Sequence, residues 1–167
     1  MSLSSTRSFL LVCLGNICRS PLAEAALRDA AARAGVAMTV DSAGTGAWHV
    51  GNPPDPRSQA VALAHGIDIS GHRARQVVAA DFRRFTDILA LDRDNLAELR
   101  RRAPKDSTAR IGLLMDAVPG RTGQAVVDPY YGGAAGFEVT WADVSAAAGA
   151  IVEGVAADRR SCTGRNS

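Results

Sequence analysis

Five residues separate Cys13 from Arg19 in Val12-Cys13-Leu14-Gly15-Asn16-Ile17-Cys18-Arg19-Ser20-Pro21, a stretch lying between an apolar run and an alanine-rich segment. Phe9 to Val12 reads as a buried strand, and Pro21 as the first residue of a helix, where its missing N–H costs nothing. Cys13 then ends the strand, and Leu14 to Arg19 curl over the helix N-terminus. Free backbone N–H groups and the positive end of the helix dipole converge there. Thiols at such points ionise readily, and oxyanions bind to them. A sulfur nucleophile inside an anion cradle can attack phosphorus.

The neighbours suit that chemistry. Arg19 offers a planar fork for two phosphoryl oxygens, which a lysine cannot match. Gly15 and Asn16 tolerate the left-handed backbone that an inward-facing nest of amides uses. Ser20 can donate its hydroxyl to the Cys13 sulfur, favouring the thiolate first and a good leaving group later. Leaving oxygens need a proton, and Asp128-Pro129-Tyr130-Tyr131 supplies a candidate acid. Pro129 biases Asp128 toward an extended conformation, so the carboxyl can project from its loop. Asp128 would protonate the departing oxygen and then, as carboxylate, activate water against a phosphocysteine. A thiolate paired with a protonated carboxyl implies a mildly acidic working pH. No metal or other cofactor is required.

Alternating strands and helices must position these groups. A helix is predicted over 22–34 with Gly35 as its stop, and a strand over 38–42. Asp55 caps a helix that starts at Pro56, reaches His65 and closes at Gly66. Residues 81–84 form a helical turn and 88–91 a buried strand. Asp92 can cap the next helix, which Pro104 bounds, and 111–115 is the fourth strand. A long loop over 116–139 precedes a last helix with Trp141, Val144, Ala148, Ile151 and Val155 on one stripe. The pattern implies a single α/β domain over 8–158, with a four-stranded parallel sheet flanked by helices on both faces. Residues 1–7 and 159–167 are expected as flexible tails. Ligands of such sheets sit at the carboxyl ends of the strands, where Cys13 falls.

Composition narrows the function classes. The 167 residues carry 19 basic and 17 acidic side chains, a net charge of +2 that points to neither nucleic acid nor membrane as partner. Arg100-Arg101-Arg102 and Arg159-Arg160 read as solvated helix ends. Phe9 to Leu14 is too short before Gly15-Asn16 for a signal peptide, and no stretch approaches the length of a membrane span. The expected location is the cytoplasm, with the three cysteines reduced.

Val12-Cys13-Leu14-Gly15-Asn16-Ile17-Cys18-Arg19-Ser20-Pro21-Leu22-Ala23-Glu24-Ala25 resembles the phosphate-binding signature of the low-molecular-weight protein tyrosine phosphatases. Asp128-Pro129-Tyr130-Tyr131-Gly132 is similar to their general-acid loop. Gly51-Asn52-Pro53-Pro54-Asp55 and Asp92-x-x-Asn95-Leu96 also match, and the likeness runs from about residue 8 to about 157. The resemblance implies a flavodoxin-like sheet of the phosphotyrosine phosphatase I type, in order 2-1-3-4. It implies Cys13 as nucleophile, Arg19 as phosphate clamp and Asp128 as acid, with Leu14, Gly15, Asn16, Ile17, Cys18 and Ser20 forming the phosphate loop. Asn16, Ser20, Ser42 and His72 would share a supporting hydrogen-bond network, and Trp48 and Tyr130 would wall the cleft. Tyr130 and Tyr131 fall where the family can itself be phosphorylated. Expected partners are phosphotyrosyl proteins or peptides, and phosphate, vanadate or similar oxyanions in the site; the chain would act as a monomer or weak dimer.

Plainer readings stand beside these. Cys18 can pack, or form a reversible disulfide with Cys13 that shields it from over-oxidation. Cys13, Cys18 and one histidine lack the second cysteine pair of a metal site. Cys162 reads as an exposed free thiol, His49 and His65 as surface residues, and Asp92 as a cap with a weak claim on the site. Arsenate reductases need further relay cysteines. Phosphoarginine phosphatases of the family carry threonine where this chain has Ile17, and Ile17, Trp48 and Tyr130 favour a flat aromatic ring in a deep slot. A P-loop nucleotide hydrolase would need a Gly-Lys-[Ser/Thr] that is missing.

Overall fold

A strand with no polar face, such as Phe9-Leu10-Leu11-Val12, is stable only when covered on both sides. The computed structural model, which describes residues 6–163, covers it so. β1 (Ser8–Cys13) lies inside a parallel sheet between β2 (Thr39–Gly44) and β3 (Asp87–Ala90), with β4 (Arg110–Leu113) outermost, in the order β2-β1-β3-β4. Its side chains alternate between two cores: Phe9, Leu11 and Cys13 enter one, Leu10 and Val12 the other.

The first core is closed by α1 (Arg19–Ala34), α2 (Pro56–Ala64) and α5 (Ala134–Thr163), through Leu22, Leu27, Val61, Phe137, Val144 and Val155. The second is closed by α3 (Asp81–Arg84) and α4 (Arg93–Arg102), through Phe82 and Leu99 with the adjacent Phe85. Local chemistry sets the ends of these helices. Asp55 caps α2 by accepting from the Arg57 N–H at 2.8 Å, and Asp92 caps α4 by accepting from the Asn95 N–H at 2.8 Å. Gly35 closes α1 in the left-handed conformation.

Several boundaries differ from expectation. α1 begins at Arg19, so Pro21 sits inside the first turn rather than opening it; the first four N–H groups of a helix need no carbonyl, and proline is tolerated throughout them. β4 ends at Leu113, and Leu114 and Met115 turn into a short 3-10 segment, Leu114–Ala117. The last helix starts at Ala134 despite Gly133 and Gly136, because Phe137 is buried there. It also continues past Arg159, whose guanidinium donates to the Ala37 carbonyl at 2.6 Å. α5 is thereby the one described helix long and apolar enough to cross a membrane, against the expectation of no such stretch. Its apolar stripe is nonetheless committed to the core against α1. Residues 1–5, residues 164–167 and the Cys162 side chain lie outside the described residues, as do the expectations made for them.

Candidate active site

Cys13 ends β1 opposite Gly44, the last residue of β2. Its sulfur accepts a hydrogen bond from the Asn16 N–H at 3.3 Å and lies 3.0 Å from the Ser20 hydroxyl. The backbone can fold back on the sulfur so tightly because Asn16 adopts a left-handed φ of 57°. Gly15, expected to share that conformation, is absent from the positive-φ residues; its missing side chain serves close packing instead, since a Cβ there would lie 2.9 Å from the His49 ring. Gly44 is as constrained, because a Cβ on it would lie 2.8 Å from the Leu14 carbonyl oxygen. The loop thus rests directly on the backbone of β2.

Asn16 is fully buried, and every polar atom of its side chain is used. Its amide donates to Ser20 Oγ at 2.8 Å and to Ser42 Oγ at 3.0 Å. Its carbonyl accepts from the Arg75 N–H at 3.0 Å and lies 3.2 Å from His72 Nε2. The Ser42 hydroxyl donates to Glu24 Oε1 at 2.7 Å, and His72 Nδ1 is 3.8 Å from the same oxygen. Ser42 and His72 therefore do meet Asn16 and Ser20, with Glu24 closing the circuit. A network with no unsatisfied member holds one geometry.

Arg19 is buried, 3% exposed, and reaches across the sheet. Its Nη1 donates to Asp92 Oδ2 at 2.7 Å and to the Val126 carbonyl at 2.9 Å, which commits both hydrogens of that nitrogen. Nη2 lies 3.7 Å from Asp128 Oδ2. Burial works against ionisation of Asp92, but the Asn95 N–H and Arg19 outweigh it and hold the carboxyl below its usual range. Asp128 is part-exposed on the loop before α5, where its Oδ1 accepts from the Tyr130 N–H at 3.0 Å.

These groups border a pocket of about 210 Å³ lined by Cys13, Leu14, Gly15, Ile17, Cys18, Arg19, Trp48, His49, Asp128, Tyr130 and Tyr131. Trp48, 74% exposed, and Tyr130 flank it, while Tyr131 is almost wholly exposed. His49 belongs to this lining and is half-buried, a correction to its expected place on the outer surface. Cys18 is buried, and its thiol is pushed up to about 12 by burial, then by Asp55, Cys13 and Asp128. Among the described residues no group of three or more histidine, cysteine or carboxylate side chains is placed to hold a metal.

Comparison with known proteins agrees with this geometry. The family model for low molecular weight phosphotyrosine protein phosphatase matches residues 8–161. This chain belongs to that family. A low molecular weight phosphotyrosine protein phosphatase of Schizosaccharomyces pombe is 47% identical over 131 residues, covering 77% of this chain and 83% of that protein. The crystal structure of YfkJ from Bacillus subtilis superposes with a TM-score of 0.85 at 38% identity, over 94% of this chain and 99% of that one. The structure of a Drosophila arginine phosphatase gives a TM-score of 0.82 at 31% identity, over 89% and 96%.

Within this phosphatase-family site, sequence reasoning did not single out Glu24, His49 or Arg57. Glu24 was accessible in principle, because four residues after Ser20 on α1 places it on the same helix face. His49 and Arg57 carry no comparable signal, as the contacts that bring them to the site, His49 beside Gly15 and Arg57 on the carbonyls of Tyr130 and Gly132, lie with segments distant in the chain.

Proposed function

We propose that this chain is a metal-independent phosphotyrosine phosphatase, acting through a phosphocysteine intermediate with Cys13 as nucleophile. The observation that carries it is the Cys13 sulfur, held by the Asn16 N–H and the Ser20 hydroxyl at the floor of a pocket that Arg19 and Asp128 also line. Sulfur attacks phosphorus while the bond from phosphorus to the tyrosyl oxygen breaks, and Asp128 gives its proton to that oxygen. Arg19 has Nε and Nη2 left for two phosphoryl oxygens once Asp92 and Val126 have taken Nη1. Loop amides and the start of α1 supply the remaining donors. Water then attacks the phosphocysteine as Asp128 takes its proton, the sulfur–phosphorus bond breaks, and Ser20 and the Asn16 N–H receive the thiolate.

Trp48 and Tyr130 support an aryl substrate, since their positions suit the two faces of a ring whose phosphate reaches the floor. Ile17 stands where phosphoarginine phosphatases of this family carry threonine, which favours tyrosine over arginine. Phosphotyrosyl proteins are the proposed partners, with phosphate or vanadate as small ligands. The proposed setting is the cytoplasm, whose reducing poise keeps Cys13 and Cys18 as free thiols, and the proposed state is a monomer or weak dimer. Cys18 remains the proposed redox partner of Cys13. The test is hydrolysis of matched phosphotyrosyl, phosphoseryl and phosphoarginyl peptides: preference for the first is expected, and equal turnover of the others overturns it. Cys13→Ser should end turnover yet keep vanadate binding, and retained turnover would place the nucleophile elsewhere.

A further inference from the structure

The segment carrying Asp128 leaves the body of the protein after Val126, whose N–H donates to the Leu91 carbonyl at 2.8 Å, and returns at Ala134. Between those points its own bonds are internal: the Tyr130 N–H to Asp128, and the Gly132 N–H to the Pro129 carbonyl at 2.9 Å. Among the described residues, the side-chain hydrogen bonds that reach residues 128–133 from outside come from one residue, Arg57. Its Nη2 donates to the Tyr130 carbonyl and its Nη1 to the Gly132 carbonyl, both at 2.9 Å. The guanidinium also lies 5.7 Å from the Tyr130 ring centroid and 4.6 Å from that of Phe137 in the first turn of α5.

Arg57 is itself held. Its Nε and Nη2 each lie 3.0 Å from a carboxylate oxygen of Asp55, a two-point pairing that fixes the plane of the fork. The Asp55 N–H donates to the Ile17 carbonyl at 2.9 Å, inside the phosphate loop. One short path therefore runs from the phosphate loop through Asp55 and Arg57 to the acid loop, with every link a hydrogen bond.

We propose that Arg57 is a positioning residue for the general acid: it ties the Asp128 loop to the phosphate loop, and so sets the Asp128 carboxyl over the leaving oxygen. This rests on the acid role given to Asp128 above. Arg57 is absent from the pocket lining, so it acts only through the loop it grips. Lysine would keep the charge but cannot pair Asp55 at two points while donating to two carbonyls. The fork matters as well as the charge.

The experiment compares phenyl phosphate, whose leaving group needs a proton, with p-nitrophenyl phosphate, whose leaving group scarcely does. Arg57→Ala and Arg57→Lys should each lower kcat/KM, which reports transfer to Cys13 and not the shared hydrolysis step, by about tenfold to a hundredfold on phenyl phosphate. On p-nitrophenyl phosphate the loss should stay below about threefold, with inhibition by inorganic phosphate unchanged. In an Asp128→Asn background, Arg57→Ala should cost nothing further on phenyl phosphate, because its route to the reaction is gone. Hydrogen exchange at the amides of residues 130–133 should quicken in Arg57→Ala. Equal losses on both substrates, or a further loss in the Asp128→Asn background, would overturn the proposal. The acid role has its own readout in Asp128→Asn alone, where equal losses on both substrates would remove it. Amide exchange still tests the tether in that case, and unchanged exchange in Arg57→Ala would dismiss it.

Discussion

The Arg19 guanidinium donates to the Asp92 carboxylate at 2.7 Å, joining the start of α1 to the N-cap of α4 across the sheet. These residues stand at the carboxyl ends of β1 and β3, adjacent strands that lie far apart in sequence. A buried guanidinium with several rotatable bonds would otherwise be free to reorient. Asp92 and the Val126 carbonyl turn it so that one edge faces the pocket.

Asp92→Asn tests that anchor, because asparagine still caps α4 but no longer offers Arg19 a charge. We expect kcat/KM for an aryl phosphate to fall by about tenfold to a hundredfold, the worth of one charge-assisted hydrogen bond of about 1.5–3 kcal/mol. Steady-state kinetics checks it. An unchanged kcat/KM would mean that the Val126 carbonyl orients Arg19 unaided.

Acid should unfold the protein partly through the same residue. Asp92 and Asp55 both ionise below their usual range, Asp55 chiefly through the hydrogen bonds from the Arg57 side chain. Folded-state values below the unfolded ones mean that the folded chain binds fewer protons. The stability they contribute is complete above about pH 4 and is lost as pH falls through the folded values. The thermal midpoint should therefore drop below about pH 4, and less steeply in Asp92→Asn. Parallel acid limbs for variant and parent would contradict this.

Gly46 decides where Trp48 lies, since a Cβ on Gly46 would overlap the indole ring. Gly46→Ala should displace the ring and raise KM for aryl phosphates several-fold, with little change in kcat. In a Trp48→Ala background the same substitution should be silent, and the four KM values close the cycle. An equal effect in both backgrounds would assign Gly46 to the backbone instead.

Cys18 should resist alkylation. With its thiol pushed up to about 12, hardly any thiolate is available at pH 7. Iodoacetate at neutral pH should label Cys13 and leave Cys18 unmodified by mass spectrometry. Comparable labelling at Cys18 would show that its burial and acidic surroundings do not hold the proton.

Much of the fold was legible because it follows from short-range rules. The apolar run of β1, the cap residues Asp55 and Asp92, and the Gly35 stop each act within a few residues. The start of α5 was not legible, since Gly132, Gly133 and Gly136 read locally as loop and glycine costs about 1 kcal/mol in a helix. Burial of Phe137 and the guanidinium of Arg57 against its ring override that local preference.

The sequence by itself determined the cradle, because strand, five-residue loop and helix are contiguous and the turn of the loop depends on the left-handed backbone of Asn16. It also determined the class of sheet, through apolar runs without a polar face. Tertiary structure alone decided that Asp92 would hold Arg19, that Glu24 would close the Asn16 network, and that Arg57 would grip the Asp128 loop. Contacts of that kind depend on strand order and on how helices settle against the sheet, and no local spacing encodes which distant side chains those choices bring within 3 Å.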